Sequence, residues 1–147
     1  YISGNPLTGR KIDKDGVLRA YDAQVTVIPE GDEVHEAFGW ASFSPERYSA
    51  GSTYLNLKKK YRLDARVLGG PRAIIGSNEY DKVFPMDIYP EQLIKSTLAF
   101  NIDRMEQLGI YEVAPEDFAL CEFVDTSKLE LQLIIRRGLD LLRKEME

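Results

Sequence analysis

A chain of 147 residues with 44% hydrophobic and 29% charged residues has the make-up of a globular protein of one domain or two small ones. Its net charge of -5 argues against nucleic acid as a partner, and the only basic run, Lys58-Lys59-Lys60, reads as a solvated helix face. The single cysteine, Cys121, excludes an internal disulfide and a cysteine-built metal centre, and no apolar run approaches the roughly 20 residues of a membrane-spanning helix.

The chain opens in mid-pattern on Tyr1-Ile2-Ser3-Gly4, without an initiator methionine or a secretory leader, as a fragment of a longer protein would. Residues 1–3 read as the end of a strand, and Gly4-Asn5-Pro6 and Thr8-Gly9 as turns. Residues 11–19 are polar with an Asp15-Gly16 turn, the tip of a hairpin. Residues 23–29 form the clearest strand, with Ala23, Val25 and Val27 on one face and Gln24, Thr26 and Ile28 on the other. Residues 52–61 read as a short helix with Tyr54, Leu57 and Tyr61 on one side. Three short strands are expected at 66–68, 73–75 and 80–84.

The second half changes period. Pro90 suits a first helical position and opens a helix that buries Leu93, Ile94, Thr97, Leu98 and Phe100. Asn101 or Asp103 caps the next, with Ile102, Met105 and Leu108 inward, and Gly109 ends it in the left-handed region. Pro115 opens a third, burying Phe118, either Leu120 or Cys121, and Val124. Ser127-Lys128-Leu129-Glu130 has the form of a capping box for a last helix. That helix carries Leu131, Ile134, Ile135, Gly138, Leu139 and Leu142 on one face, with Gly138 where a neighbouring helix comes close. The fold class is α+β: a β-rich part over 1–64, then a helical part over 65–147 with short strands at its start.

The stretch 114–137 holds the one chemical signature. Bacterial ferredoxin ligands follow C-x2-C-x2-C-x3-C-P, because the thiolates must converge on one cluster from a tight loop. With Cys121 in the third slot, the others fall on Pro115, Phe118 and Asp125, and Thr126 stands where the proline would. One thiolate cannot hold a cubane, so Cys121 is expected to be a buried structural residue. Metal ligands, cofactor-binding residues and catalytic residues are all expected to be absent. His35 lies between Glu33 and Glu36 with no activated partner in reach, and reads as a surface residue. Glu116, Asp117 and Glu122 read as helix N-terminal and solvent-facing charges. Gly69-Gly70 lacks the Lys-Ser/Thr of a phosphate loop. Tyr1, Tyr21, Trp40 and Tyr48 offer either a groove for a quinone ring or, preferably, the core and rim of the β-rich part.

Longer stretches carry a resemblance. I-S-G-N-P-L-T-G (2–9), Y-D-A-Q-V-T-V-I-P-E-G (21–31), F-G-W (38–40), R-A-I-I-G-S-N-E-Y-D-K-V-F-P-M-D-I-Y-P (72–90) and L-G-I-Y-E-V-A-P-E-D-F-A-L-C-E-F-V (108–124) resemble, in order, the family of A subunits of Na+-translocating NADH:quinone oxidoreductases. That family is similar to the C subunit of the Rnf complex and to the flavin-binding subunit of complex I. The resemblance implies the C-terminal third of the subunit, with lipoyl-like and Rossmann-like parts preceding it. It implies a partial β-grasp of the soluble-ligand-binding type, then a helical bundle resembling a degenerate ferredoxin-like, cluster-binding domain. Cofactors are expected to be none in this fragment, with NADH, FAD or FMN, Fe–S and quinone in the whole complex. The implied partners are the other subunits, membrane subunits above all, on the cytoplasmic face of the bacterial inner membrane. Where many members read C-x-F-V-C-P-G-K, this chain has Cys121-Glu122-Phe123-Val124-Asp125-Thr126-Ser127-Lys128, without the second thiol. Three functions stay open: docking to membrane subunits within respiratory electron transfer and sodium transport, a direct ubiquinone or menaquinone site, or a free-standing interaction domain.

Overall fold

Asn5 folds the start of the chain back on itself, its Oδ1 accepting from the amides of Leu7 and Thr8, both at 2.8 Å. In the computed structural model, which describes residues 1–32, 47–50, 54 and 58–147, this turn pairs β1 (Ile2–Ser3) antiparallel with β2 (Arg10–Lys11). The other edge of β1 pairs antiparallel with β3 (Val25–Thr26), Ile2 opposite Thr26, so the order is β2-β1-β3. These strands belong to a compact unit, Tyr1–Gly70. Its best-held residue is Ser3, fully buried, which donates to Asp22 Oδ2 and accepts from the Arg19 amide. Hydrogen bonds from Arg19 and Ser3 hold the Asp22 carboxyl below the usual carboxylate range.

Several expectations for the β-rich part are corrected. The strand expected over 23–29 shrinks to Val25–Thr26. Val25 and Val27 are exposed, whereas Thr26 and Ile28 are half-buried, Thr26 donating to Gly4 O. Asp15-Gly16 is a turn, with the Gly16 amide on Asp13 O, but no hairpin tip, because β2 and β3 both pair with β1. Most of the helix expected over 52–61 lies outside the described residues; Lys58, Lys59 and Lys60 are exposed and non-helical. Residues 66–68, 73–75 and 80–84 form no strands. The first of these has Asp64 and Arg66 paired with each other instead. Residues 72 and 73 are tied to a turn: the Arg72 amide donates to Ser127 O and Ser127 Oγ to Ala73 O. Residues 80–84 make a tight turn in which Tyr80 O accepts from the amides of Val83 and Phe84.

The second unit, Pro71–Glu147, is helical. It contains α1 (Pro90–Leu98), α2 (Ile102–Gln107), 3-10 turns at Ile110–Glu112 and Pro115–Phe118, α3 (Ala119–Val124) and α4 (Leu131–Met146). Pro90 opens α1, and Leu93, Ile94 and Thr97 are buried as the periodicity predicts. Leu98 and Phe100 are not: α1 ends at Leu98, and both side chains face solvent. Asn101 caps α2, its Oδ1 accepting from the Arg104 amide, and Gly109 follows at φ 84. Met105 is fully buried. Against α1, α4 packs at Gly138, where an added Cβ would lie 2.7 Å from Thr97 Cγ2. The approach expected at Gly138 is therefore real, and it offsets the roughly 1 kcal/mol that Gly costs inside a helix.

The capping box is the second correction of substance. α4 starts at Leu131, and Ser127 does not cap it. Ser127 is buried with its hydroxyl committed to Ala73 O, and Lys128 at φ 56 reverses the chain before the helix begins. The capping function passes to Glu122 of α3, whose Oε2 accepts the Gln132 amide at 3.0 Å. A carboxylate there also complements the positive end of the helix dipole.

Candidate functional site

The cluster-slot residues sit in the core of the helical unit. Pro115 begins the 3-10 turn and is buried. Asp117 Oδ2 accepts from the Ala114 amide at 2.8 Å. Only that half of a capping box exists, since alanine has no side-chain acceptor. The turn aims Phe118 inward, fully buried, with its ring centroid 4.7 Å from that of Phe84 in a tilted pair. Phe118 and Cys121, three residues apart, enter the same hydrophobic core as Leu93, Ile94, Met105 and Leu131. Of the two residues weighed for the third helix, Cys121 is buried and Leu120 is exposed.

Asp125, 2% exposed, organises the turn after α3. Its Oδ1 accepts from Tyr80 Oη at 2.7 Å and from the Ser127 amide at 2.9 Å, and its Oδ2 accepts from the Leu129 amide at 2.8 Å. Three donors satisfy both oxygens of a buried carboxyl, which is what makes its burial tolerable. Burial first, then the hydrogen bond to Asp125, holds the Tyr80 hydroxyl well above its ordinary range. Tyr80 also joins two slots: its hydroxyl reaches Asp125, and its carbonyl lies 3.9 Å from Cys121 Sγ, a weak thiol contact. Burial, then the charges of Asp81 and Asp125, pushes the Cys121 thiol up to about 12. At neutral pH roughly one molecule in 10⁵ is then the thiolate, the form that binds metal or attacks an electrophile.

The donor set does not fit an iron–sulfur cluster. A pyrrolidine ring and a phenyl ring cannot ligate, the one thiol is held protonated, and the carboxyl is saturated by protein donors. Among the described residues no group of three or more His, Cys, Asp or Glu side chains is placed to hold a metal ion. Phe118 occupies apolar volume at its slot, and Asp125 turns its slot into a structural clamp.

Elsewhere, Glu122 is half-buried and caps α4, rather than facing solvent as expected. Glu116 is exposed and Asp117 holds the Ala114 amide. His35, Glu33, Glu36 and Trp40 lie outside the described residues. Of the described members of the aromatic set, Tyr21 is 101% exposed, Tyr1 is about half exposed, and Tyr48 stacks obliquely on Tyr61 with centroids 5.5 Å apart. The partner of Asp125, Tyr80, was not legible in sequence, being 45 residues away. Among the described residues no helix is long and apolar enough to cross a membrane.

Comparison with known proteins fits the stretches quoted above. No family model matches the sequence. The A subunit of the Na(+)-translocating NADH-quinone reductase of Haemophilus influenzae (strain PittEE) is 38% identical over 98% of this chain and 33% of its own length. The same subunit of Neisseria meningitidis serogroup B (strain ATCC BAA-335 / MC58) is 36% identical over the same shares. The chain thus spans about a third of the length of the curated relatives it matches. Over that span, this chain is similar to the A subunits of the Na(+)-translocating NADH-quinone reductases.

Proposed function

We propose that this chain is the C-terminal, docking part of the A subunit in a sodium-pumping NADH:quinone reductase. It holds the subunit on its membrane partners at the cytoplasmic face and carries no electrons itself. The observation that carries this reading is the 38% identity across almost the whole chain, joined to a cluster motif whose slots are filled by Pro115, Phe118 and Asp125. The β-rich part, 1–64, is read as a partial β-grasp module. The helical part, 65–147, is read as a cluster-binding bundle that has lost its ligands. A bundle whose slots hold core side chains still offers a rigid surface to other subunits. NADH, flavin, Fe–S and quinone then act elsewhere in the complex.

The test is assembly and turnover. The full-length A subunit with Cys121→Ala should join the complex and support sodium-dependent NADH:quinone activity at the wild-type rate. Iron bound after anaerobic reconstitution, and lost on Cys121→Ala, would overturn the lost-cluster reading. A saturable change in Trp40 fluorescence on titration with a ubiquinone analogue would replace docking with a quinone site.

A further inference from the structure

The loop over 58–67 is held in place by some of its residues, while others add nothing to its hold. The Lys58 amide donates to Tyr61 Oη at 3.0 Å, and the Tyr61 ring packs on Tyr48. The Ala65 amide donates to Pro29 O at 2.9 Å, which ties the loop to the chain after β3. Asp64 clamps Arg66, its Oδ1 accepting from the Arg66 amide at 3.1 Å and its Oδ2 from the guanidinium at 2.6 Å. Lys59, Lys60 and Arg62 take no part in this. All three are exposed, and none enters an ion pair among the described residues.

Nor does the sequence place an acid beside them to neutralise them. From Arg47 to Leu63 there is no Asp or Glu, and the next acid, Asp64, is committed to Arg66. Three like charges within four residues repel one another, and no contact of theirs in the fold offsets that repulsion. Apolar side chains flank them in the same state: Leu63 is 51% exposed and Val67 is 71% exposed. This composition decides between partners. Adjacent lysines are point charges on flexible stems, without the fork that fixes a single carboxylate, so they suit a diffuse sheet of anionic headgroups. Leu63 and Val67 suit the apolar boundary beneath such headgroups, with the lysine charges staying at the water side. Screening confines this attraction to about 8–10 Å at physiological salt, so the local charge decides rather than the net charge of -5.

We propose that the 58–67 loop is a reversible contact with an anionic phospholipid surface. Lys59, Lys60 and Arg62 lie against the headgroups, and Leu63 and Val67 enter their apolar boundary. This does not depend on the docking reading above. The test is co-sedimentation of the 147-residue chain with vesicles of phosphatidylglycerol and phosphatidylcholine, against phosphatidylcholine alone. Wild type should bind only the vesicles that contain phosphatidylglycerol and should come off at high salt. Each Lys or Arg near such a surface strengthens binding about fivefold, so Lys59→Gln/Lys60→Gln/Arg62→Gln should weaken it about a hundredfold. Its circular dichroism should stay that of wild type, since the replaced side chains hold nothing. Leu63→Ser/Val67→Ser should weaken binding several-fold. Arg136→Gln/Arg137→Gln, which removes two exposed charges from α4, should bind as wild type. Wild type that ignores phosphatidylglycerol, a triple variant within twofold of wild type, or an equal loss in the α4 variant would overturn the proposal. Self-association, or binding to purified reductase subunits, that is lost in the triple variant while no vesicles are bound would overturn it in favour of a protein partner.

Discussion

Replacing Asp125 by alanine removes the acceptor of three hydrogen bonds at once, two of them buried and one part-buried. The Tyr80 hydroxyl and the amides of Ser127 and Leu129 lose their partner, at 2.7, 2.9 and 2.8 Å respectively. A net hydrogen bond to a charged group contributes about 1.5–3 kcal/mol, and each stranded buried donor costs about 1–3 kcal/mol. The three share one acceptor and relax together, so the total falls short of the sum, at about 4 kcal/mol. Asp125→Asn keeps one acceptor oxygen but turns an NH2 group toward a donor, for a loss of about 2 kcal/mol. Tyr80→Phe deletes only one donor and leaves the two amides in place, for about 1 kcal/mol. The assay is urea unfolding of the 147-residue chain followed by helical circular dichroism. With a slope of about 2 kcal/mol/M, Asp125→Ala should move the midpoint down by about 2 M. The double variant Tyr80→Phe/Asp125→Ala should show a coupling of about 1 kcal/mol. An Asp125→Ala loss below about 1 kcal/mol, or a loss smaller than that of Tyr80→Phe, would refute the view that Asp125 clamps this turn.

Three further outcomes follow from the same geometry. Gly138→Ala gains about 1 kcal/mol of helix propensity but overpacks against Thr97 Cγ2, a cost of about 1–3 kcal/mol, so thermal denaturation should show a net loss. In a Thr97→Ser background, where that methyl is gone, the same substitution should be neutral or stabilising. Alkaline pH should unfold the chain through Cys121: its folded pKa is raised, from 9 to about 12, so the native state keeps a proton that the unfolded state releases. That contribution, up to about 4 kcal/mol, is complete below pH 9 and is lost between 9 and 12, so urea midpoints should fall over that window and fall less in Cys121→Ala. At neutral pH the native thiol should resist iodoacetamide and react only after unfolding, as measured by mass spectrometry.

What the sequence made legible was local, and what it hid was long-range. Pro90, Asn101 and Gly109 mark helix ends through their own backbone preferences, so α1 and α2 could be bounded without knowing the fold. Burial of Phe118 followed from helical spacing, which left Leu120 and Cys121 as alternatives until the fold decided for Cys121. The β-rich part resisted because its strands are two residues long, too short for alternation to decide which face is covered. Val25 and Val27 have strong strand propensity, yet the half-buried face is that of Thr26 and Ile28. Ser127 misled for a related reason. Ser-x-x-Glu is a sound local signal, but its hydroxyl was taken by Ala73 O, 54 residues away, and no local pattern anticipates that.

The same distinction bears on the cysteine-slot stretch. The residues at these positions depend on one another in the structure. Phe118 stacks on Phe84, which closes the turn begun by Tyr80, and Tyr80 reaches across to Asp125 while its carbonyl meets Cys121. Restoring a thiol at either position alone would therefore not approach a cluster site. Phe118→Cys would leave a void in the core, where Phe→Ala costs run at about 3–5 kcal/mol, and Asp125→Cys would strand the donors of the turn. The stretch is part of the core, and its one thiol is held protonated by that core.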